Sequence, residues 1–322
     1  MTSVKQYIGL DVHKSTIAIA VAPAGPGLEV HSRGTIPHDA SRLLKRITAL
    51  GRPEDLFVAY EAGPTGYGLY RKLCEAGISC IVVAPSKTPR RPGDRVKTDK
   101  RDAMMLARYL RSGELVAVAP PDEALEALRD AIRARGDAVR AQRCARQQLS
   151  GFLLRHDRPW SEKTTWGCKH LEWIRAQRFD SEVQRRVLED YYQEVHRLTT
   201  RVSAWDDDVT RFAEECTSGV AYYHAFQAMR GVGTIVSATL IAEIGDFRRF
   251  PTASHFMSFL GVTPSERSSG SRVSRGAITK AGNTHVRWKL IQAAWHYRHR
   301  PAMTRALVKR QEGLSKSVCD IA

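Results

Sequence analysis

The sequence lacks the marks of a secreted, membrane-spanning or zinc-binding protein. Its 322 residues contain no run of 18 apolar residues, so we expect no transmembrane helix. Lys5, Asp11 and Lys14 interrupt the N-terminal segment, which argues against a signal peptide. The six cysteines form no C-x-x-C pair, which disfavours a zinc site and indicates free thiols in a reducing compartment. We therefore expect a cytoplasmic protein without membrane contact.

Acidic residues are scarce relative to basic ones. Asp and Glu number 34 against 50 Lys and Arg, so the formal net charge is +16. An apolar content of 43% is ordinary for a globular protein and excludes global disorder. The excess of basic over acidic residues is largest at residues 262–310, where 11 basic residues accompany one acid, Glu266, for a net charge of +10. Such a balance favours a polyanionic partner, nucleic acid before an anionic membrane surface.

The N-terminal third has the pattern of an α/β domain with a mixed sheet. Three β-rich segments come first, and helices and buried strands then alternate. A tight hairpin at His13 and Lys14 joins the first two strands. The predicted strands are 6–12, 15–22, 28–36, 56–63 and 78–85, and the predicted helices are 41–50, 67–77 and 99–113.

The middle of the chain is predicted to be helical. Residues 122–155 and 181–216 are long enough to form an antiparallel helical hairpin or a coiled-coil arm, although neither keeps a strict heptad. Trp160, Trp166 and Trp173 lie at or near the intervening loop. They either stack on unpaired bases or pack the arm's loop against another subunit or the core.

Four carboxylates stand where a metal site would need them. Asp11 and Glu61 close two strands, and Asp99 and Asp102 share one side of a helix start. Carboxylates that converge from separate elements bind hard cations such as Mg²⁺, which serve phosphoryl transfer. Asp99 is equally explained as a helix cap, and His13 is either a support for the metal site or a satisfied turn residue.

The arrangement of these carboxylates, on a first strand, a later strand and a following helix, resembles that of the ribonuclease-H-like fold of the RuvC-like junction resolvases. The segments IGLDVHKSTIAIAV, YEAGPTGYGLYRKL and KTDKRDAMMLARYL are similar to the DEDD-type transposases of bacterial insertion sequences, specifically the "one-ten" family. The resemblance implies Mg²⁺ or Mn²⁺ held by Asp11, Glu61, Asp99 and Asp102. It also implies a nucleoid-associated recombinase that a bridge RNA guides to its DNA.

A second motif lies in the C-terminal hundred residues. The helix–G-V-G–helix pattern around Gly231 and Gly233 is typical of a helix-hairpin-helix, whose glycines let backbone amides approach a phosphate. Plain turn glycines explain the same pattern.

The adjacent Ser268 and Ser269 lie in a loop rich in Gly, Ser and Arg. Without a family resemblance, the composition of this segment favours a flexible surface loop whose arginines bind backbone phosphate. However, P-S-E-R-S-S-G followed by R-G-A-I-T-K-A-G-N resembles the C-terminal domain of the same transposase family. There a serine of the S-S-G element forms a covalent phosphoserine link to DNA. We expect Ser268 to be the nucleophile, with Ser269 as the alternative.

The candidate nucleic-acid contacts follow the basic segments and the two glycines. Residues 87–111 alone hold nine basic and three acidic residues. The predicted contacts are Arg90, Arg91, Arg95, Lys97, Lys100, Arg101, Gly231, Gly233, Arg267, Arg272, Arg275, Lys280 and Arg287.

The sequence thus predicts three regions: a RuvC-like DEDD domain (1–118), a helical arm (119–222) and a mainly α-helical C-terminal transposase domain (223–322). The resemblance implies an obligate dimer with composite sites and a tetramer in the synapse with DNA. Family members continue into another basic helix where this sequence ends at Ala322. The alternatives are a metal-dependent junction endonuclease that activates water, and a non-enzymatic architectural or RNA-binding protein.

Overall fold

A computed structural model describes residues 4–25, 27–85, 88, 98–270 and 272–322. The chain divides into two compact units, residues 1–120 and 121–322. Within the described ranges, no helix combines the length and apolar character needed to cross a membrane.

The N-terminal unit is built on a six-stranded sheet with the order β3-β2-β1-β4-β5-β6. The strands β1, β2 and β3 form an antiparallel meander, and β4 and β5 continue the sheet in parallel with β1. The strands are β1 (Gln6–Val12), β2 (Thr16–Pro23), β3 (His31–Pro37), β4 (Leu56–Glu61), β5 (Ser79–Val83) and β6 (Ala117–Val118).

The two faces of this sheet carry side chains of very different size. One face buries large residues such as Ile8, Leu10 and Tyr60 in the main core. The other face presents small residues of β1 and β2, including Ala18 and Ala20, to a helix. The helices of this unit are α1 (Ala40–Thr48), α2 (Gly68–Glu75) and α3 (Asp99–Ser112).

The close approach of α3 to β1 depends on Gly9. A β-carbon at this position would overlap the backbone at Ala103 and Ala107 of α3. Only glycine, which has no β-carbon, allows a helix backbone to lie this near to a central strand. Gly9 therefore fixes the height of α3 over the end of β1.

The C-terminal unit begins with a long helical hairpin. Its two long helices, α4 (Glu123–Arg155) and α6 (Glu182–Glu215), run antiparallel, because Arg135 pairs with Asp206 while Gln142 pairs with Thr199. The shorter α5 (Cys168–Ala176) lies in the connection between them. The predicted antiparallel helical hairpin is confirmed.

The remaining elements form the end of this unit around a buried carboxylate. Glu243 accepts hydrogen bonds from Arg133 of α4 and from Asn283, which also caps α10. The elements are α7 (Val220–Gln227), α8 (Thr234–Ile244), α9 (Ala253–Leu260), β7 (Pro264–Glu266), β8 (Arg275–Ile278), α10 (Thr284–Ala294), α11 (Arg305–Gln311) and α12 (Lys316–Ile321).

Candidate active sites

The carboxyl ends of β1 and β4 bring Asp11 and Glu61 to one edge of the sheet. The parallel register places Leu10 opposite Tyr60, so Asp11 and Glu61 follow at the same level on neighbouring strands. Because side chains alternate along a strand, both carboxylates belong to the face opposite the main core. This is the face that α3 covers.

The first turn of α3 adds the acidic pair. Thr98 caps the helix by accepting a hydrogen bond from the backbone N–H of Arg101. The interpretation of Asp99 as the helix cap was therefore wrong: Asp99 is the first helical residue, and its side chain is exposed. Asp102 follows one turn later and remains half-buried.

Asp11, His13 and Asp99 form the described group best suited to hold a metal ion. One donor atom from each residue lies within 4.8 Å of the others. His13 Nε2 lies 3.2 Å from Asp11 Oδ2 and 3.5 Å from Asp99 Oδ1. Of the two interpretations of His13, contact with both carboxylates favours the support role. Glu61 and Asp102 are not members of this group of three.

Asp11 lies within electrostatic range of the carboxylates of Asp99 and Asp102. Burial raises the pKa of the Asp11 carboxyl above its ordinary value, and the nearby carboxylates of Asp102 and Asp99 raise it further. His13 opposes both effects through its charge and its hydrogen bond. A divalent cation would neutralise this charge, and the oxygen donors are those that Mg²⁺ prefers.

Glu61 has a partner of its own. The Thr88 hydroxyl donates a hydrogen bond of 2.8 Å to Glu61 Oε1. Four predicted nucleic-acid contacts, Arg90, Arg91, Arg95 and Lys97, lie outside the described residues. Lys100 and Arg101 are exposed on the first turn of α3.

A second candidate site, in the C-terminal unit, is a two-stranded ribbon that carries the serine pair. Its strands β7 and β8 are antiparallel, and Ser269 and Arg272 form an isolated bridge beyond them. The sequence predicted a flexible loop here. The backbone instead continues the ribbon, since the N–H of Arg267 donates to the carbonyl oxygen of Ser274 at 2.8 Å.

Ser268 is held by the acidic residue of this basic region. Its hydroxyl donates to Glu266 Oε1 at 2.7 Å, and Arg275 Nε lies 3.3 Å from Glu266 Oε2. Glu266 was absent from the predicted site residues. A signal was present, because it is the sole acid of a strongly basic segment and lies two residues before Ser268, which is same-face spacing on a strand.

The other basic residues predicted near the serines occupy two kinds of position. Arg267, Arg272 and Lys280 are exposed. Arg287 is buried, and its guanidinium donates to the carbonyl oxygen of Leu260 at 2.7 Å. Arg287 therefore connects α10 to the end of α9 and does not present its charge at the surface.

The predicted pair of glycines lies between α7 and α8. Gly231 has a φ of +78°, and a β-carbon there would overlap the carbonyl oxygen of Ala293. Gly233 is the residue before α8, and no atom would obstruct a β-carbon at this position. Both glycines line a cavity of about 430 Å³ together with Arg230. Gly231 is required for packing, whereas Gly233 leaves the start of α8 accessible.

Trp160, Trp166 and Trp173 pack together within the arm. All three contact the ring of His170, at centroid distances of 4.8, 5.0 and 5.7 Å. The structure thus packs these tryptophans within the arm itself, and a contact of this loop with another subunit stays a prediction.

Two family models match the chain. A model described as "Transposase IS116/IS110/IS902 family" covers residues 223–309, and a DEDD transposase model of the IS110 type covers residues 8–156. The putative transposase y4qE of Sinorhizobium fredii is 43% identical over 98% of this chain and 78% of its own length. The chain belongs to the IS110/IS116 family of insertion-sequence transposases.

Two further relatives extend this result. The transposase for insertion sequence element IS1533 of Leptospira borgpetersenii is 32% identical over 99% of this chain and 92% of its own length. A probable family 20 transposase of Pseudomonas aeruginosa is 24% identical over 89% of this chain and 82% of its own length. The carboxylate group lies within the DEDD match, and the serine ribbon lies within the other. The transposase thus has a mixed α/β N-terminal domain and a mostly helical C-terminal region, as the sequence predicted.

Proposed function

We propose that this transposase cuts and rejoins DNA through a phosphoserine intermediate, using both the carboxylate site and the serine ribbon. The observation that carries the proposal is the hydrogen bond from Ser268 to Glu266 on a ribbon that is otherwise basic. A hydroxyl held by a carboxylate, next to exposed guanidinium groups, has the parts of an activated nucleophile with phosphate-binding neighbours.

The metal-binding residues of this proposal are Asp11, Glu61, Asp99 and Asp102. The short distances among Asp11, His13 and Asp99 and the raised pKa of Asp11 support a divalent cation there. Mg²⁺ bound at these oxygens would supply positive charge to the phosphate group under attack, and Mn²⁺ suits the same ligands. His13 would orient the two carboxylates that it contacts.

The serine step is a transesterification. Ser268 Oγ forms a bond to the phosphorus of the DNA backbone, and the serine proton passes to the Glu266 carboxylate. The bond from phosphorus to the departing deoxyribose oxygen breaks, and that oxygen takes up a proton. Attack by a hydroxyl of a second DNA end reverses the step, releases the serine and joins the new pair of strands. One phosphodiester is exchanged for another, so no ATP is consumed.

The partners in this proposal are DNA at the element ends and target, a guide RNA and further copies of the chain. The exposed Arg267, Arg272 and Arg275 support contact with phosphates, since nucleic-acid backbones are bound mainly by such groups. The bridge RNA, the dimer with composite sites and the tetrameric synapse follow from the family resemblance.

A covalent adduct tests the proposal. The chain is expressed with the DNA that flanks its gene, which should encode the guide, and is given donor and target DNA with Mg²⁺. We expect a protein–DNA adduct on a denaturing gel that disappears in Ser268→Ala and in Asp11→Asn. Ser269→Ala tests the alternative nucleophile, and Ser274→Ala, on the same ribbon outside the pair, is the matched control.

The second candidate is a metal-dependent endonuclease that activates water. The observation that favours it is the carboxylate group itself, since Asp11, His13 and Asp99 all belong to the N-terminal unit. The same gel separates the two functions. Cleavage without an adduct, unchanged in both serine variants but absent in Asp11→Asn, would support the endonuclease and contradict the recombinase.

A further inference from the structure

Large aromatic side chains are exposed at the end of α10. Trp288, Trp295 and Tyr297 are 60%, 63% and 62% exposed, and Ile291 between them is 42% exposed. We call these four residues the aromatic face. Their exposure contrasts with that of the three arm tryptophans, which pack around one histidine.

Three of the four residues of the aromatic face follow the helical spacing of α10. Positions 288, 291 and 295 recur at intervals of three and four residues, so they lie along one side of the helix. The opposite side, with Val286 and Ala293, is buried in the core of this unit. The face is therefore directed away from the core, and a group of exposed apolar side chains of this kind marks an interaction site.

The charges around the face select the kind of partner. Residues 267–311 contain no Asp or Glu. The guanidinium carbon of Arg298 lies 5.6 Å from the centre of the Trp295 ring, and that of Arg230 lies 5.9 Å from the Tyr297 ring. A second copy of this face would bring the same positive charge and be repelled. The partner that fits carries both negative charge and flat apolar surfaces.

We propose that the aromatic face stacks on unpaired bases of a single-stranded nucleic-acid segment, whose phosphates meet the neighbouring arginines. Stacking suits single strands because paired bases in a duplex do not expose their flat surfaces to a side chain. Trp288 and Trp295 are seven residues apart, about 10 Å along the helix, so each ring takes a different base. The inference rests on the proposed nucleic-acid function but not on the serine chemistry.

Equilibrium binding of the full chain in EDTA tests the inference. The probes are fluorescent oligo-U and oligo-dT of about 15 nucleotides, a length within the range of single-strand binding sites, and a duplex of matched length. We expect the double variant Trp288→Ala/Trp295→Ala to bind single strands about tenfold to a hundredfold more weakly, and the duplex within about twofold of wild type. Trp288→Phe/Trp295→Phe retains most of the affinity, because the aromatic surface is kept.

Two controls separate stacking from charge and from general loss of apolar surface. The salt dependence of binding stays unchanged in the double variant, since no phosphate-binding cation is removed. Leu154→Ala/Val183→Ala removes two exposed apolar side chains elsewhere in the unit and leaves the affinity unchanged. The U and dT probes show whether RNA, DNA or both occupy the face.

Three results would overturn the inference. One is a single-strand affinity of the double variant within twofold of wild type. Another is an unchanged affinity with a lower assembled mass by light scattering, which would make the face a contact between copies. The third is wild-type protein that binds no oligonucleotide, which would also contradict the proposed function. The first two leave the adduct assay intact.

Discussion

The two candidate sites, one in each unit, are built in opposite ways. Asp11 and Glu61 stand at the end of a buried sheet, and Asp99 and Asp102 lie on the helix that covers it, whose position is fixed by a backbone contact at Gly9. The serine pair lies on an exposed ribbon, where every residue described from 264 to 277 is accessible to solvent. Like charges such as Asp11 and Asp99 repel and need a rigid frame to stay together. A nucleophile that must reach DNA needs accessibility instead.

This difference predicts that substitutions in the carboxylate site affect stability and metal binding together, whereas those in the ribbon affect the chemistry alone.

Gly9→Ala should be the most damaging. Its β-carbon overlaps the α3 backbone, so either α3 moves or the sheet distorts, and we expect a loss of about 3 kcal/mol or more in the free energy of unfolding. Urea denaturation measures it. Gly68→Ala is the matched control, because open space surrounds that position, and it should be neutral or slightly stabilising. Equal effects of the two variants would refute the role given to Gly9.

Asp11→Asn should abolish the stabilisation of the folded protein by Mg²⁺. Mg²⁺ that binds only the folded wild type raises its stability by about 2.7 kcal/mol at a hundredfold excess over Kd. The variant should show no such rise, because one anionic ligand is lost. Thermal melting with and without Mg²⁺ measures the difference, and Glu75→Gln, an exposed acid on α2, serves as control. A metal-dependent shift that persists in Asp11→Asn would place the ion elsewhere.

Glu266→Gln should impair chemistry without weakening the fold. The amide still accepts the serine hydrogen bond but takes no proton, so the rate of adduct formation should fall about a hundredfold. Stability should change by less than about 0.5 kcal/mol, since the residue is exposed. Single-turnover kinetics and DNA affinity are the measurements. An adduct rate within twofold of wild type would show that Glu266 has no part in the reaction.

The smallest effect concerns His170 in the arm. Burial lowers the pKa of its imidazole below 6.5, and Nδ1 accepts a hydrogen bond from the Trp166 backbone N–H. As the pH falls through 6.5, the unfolded chain binds a proton there more readily than the folded chain, so stability is lost. We expect wild type to lose up to about 1 kcal/mol more than His170→Gln between pH 7.5 and 5.5. Parallel losses in both proteins would contradict this.

Much of the fold was predictable because local pattern and tertiary structure agree. The hairpin of β1 and β2, the buried β4 and β5 and the long helices of the arm each lie within a few residues of their predicted bounds. The acidic pair was also predictable, because the caps of α3 are local signals: Thr98 at its start and a left-handed Gly113 at its end.

The features that were missed depend on contacts between distant residues. Nothing local shows that Gly9 meets α3, that Arg287 is buried against Leu260, or that the face bearing Trp288 is exposed. The short α5 lacks a side-chain cap. The ribbon carrying Ser268 has turn-like composition, and its strands are joined by backbone hydrogen bonds and the Glu266–Arg275 ion pair.

The most direct test is to identify the residue that carries DNA. Trypsin releases residues 268–272 as one peptide, because basic residues flank the serine pair at 267 and 272. After nuclease treatment of the adduct, fragmentation by mass spectrometry should place the remaining nucleotide on Ser268. A nucleotide on Ser269 would make Ser269 the nucleophile and would contradict the role proposed for Glu266. Cleaved DNA with no nucleotide on either serine would contradict the phosphoserine mechanism.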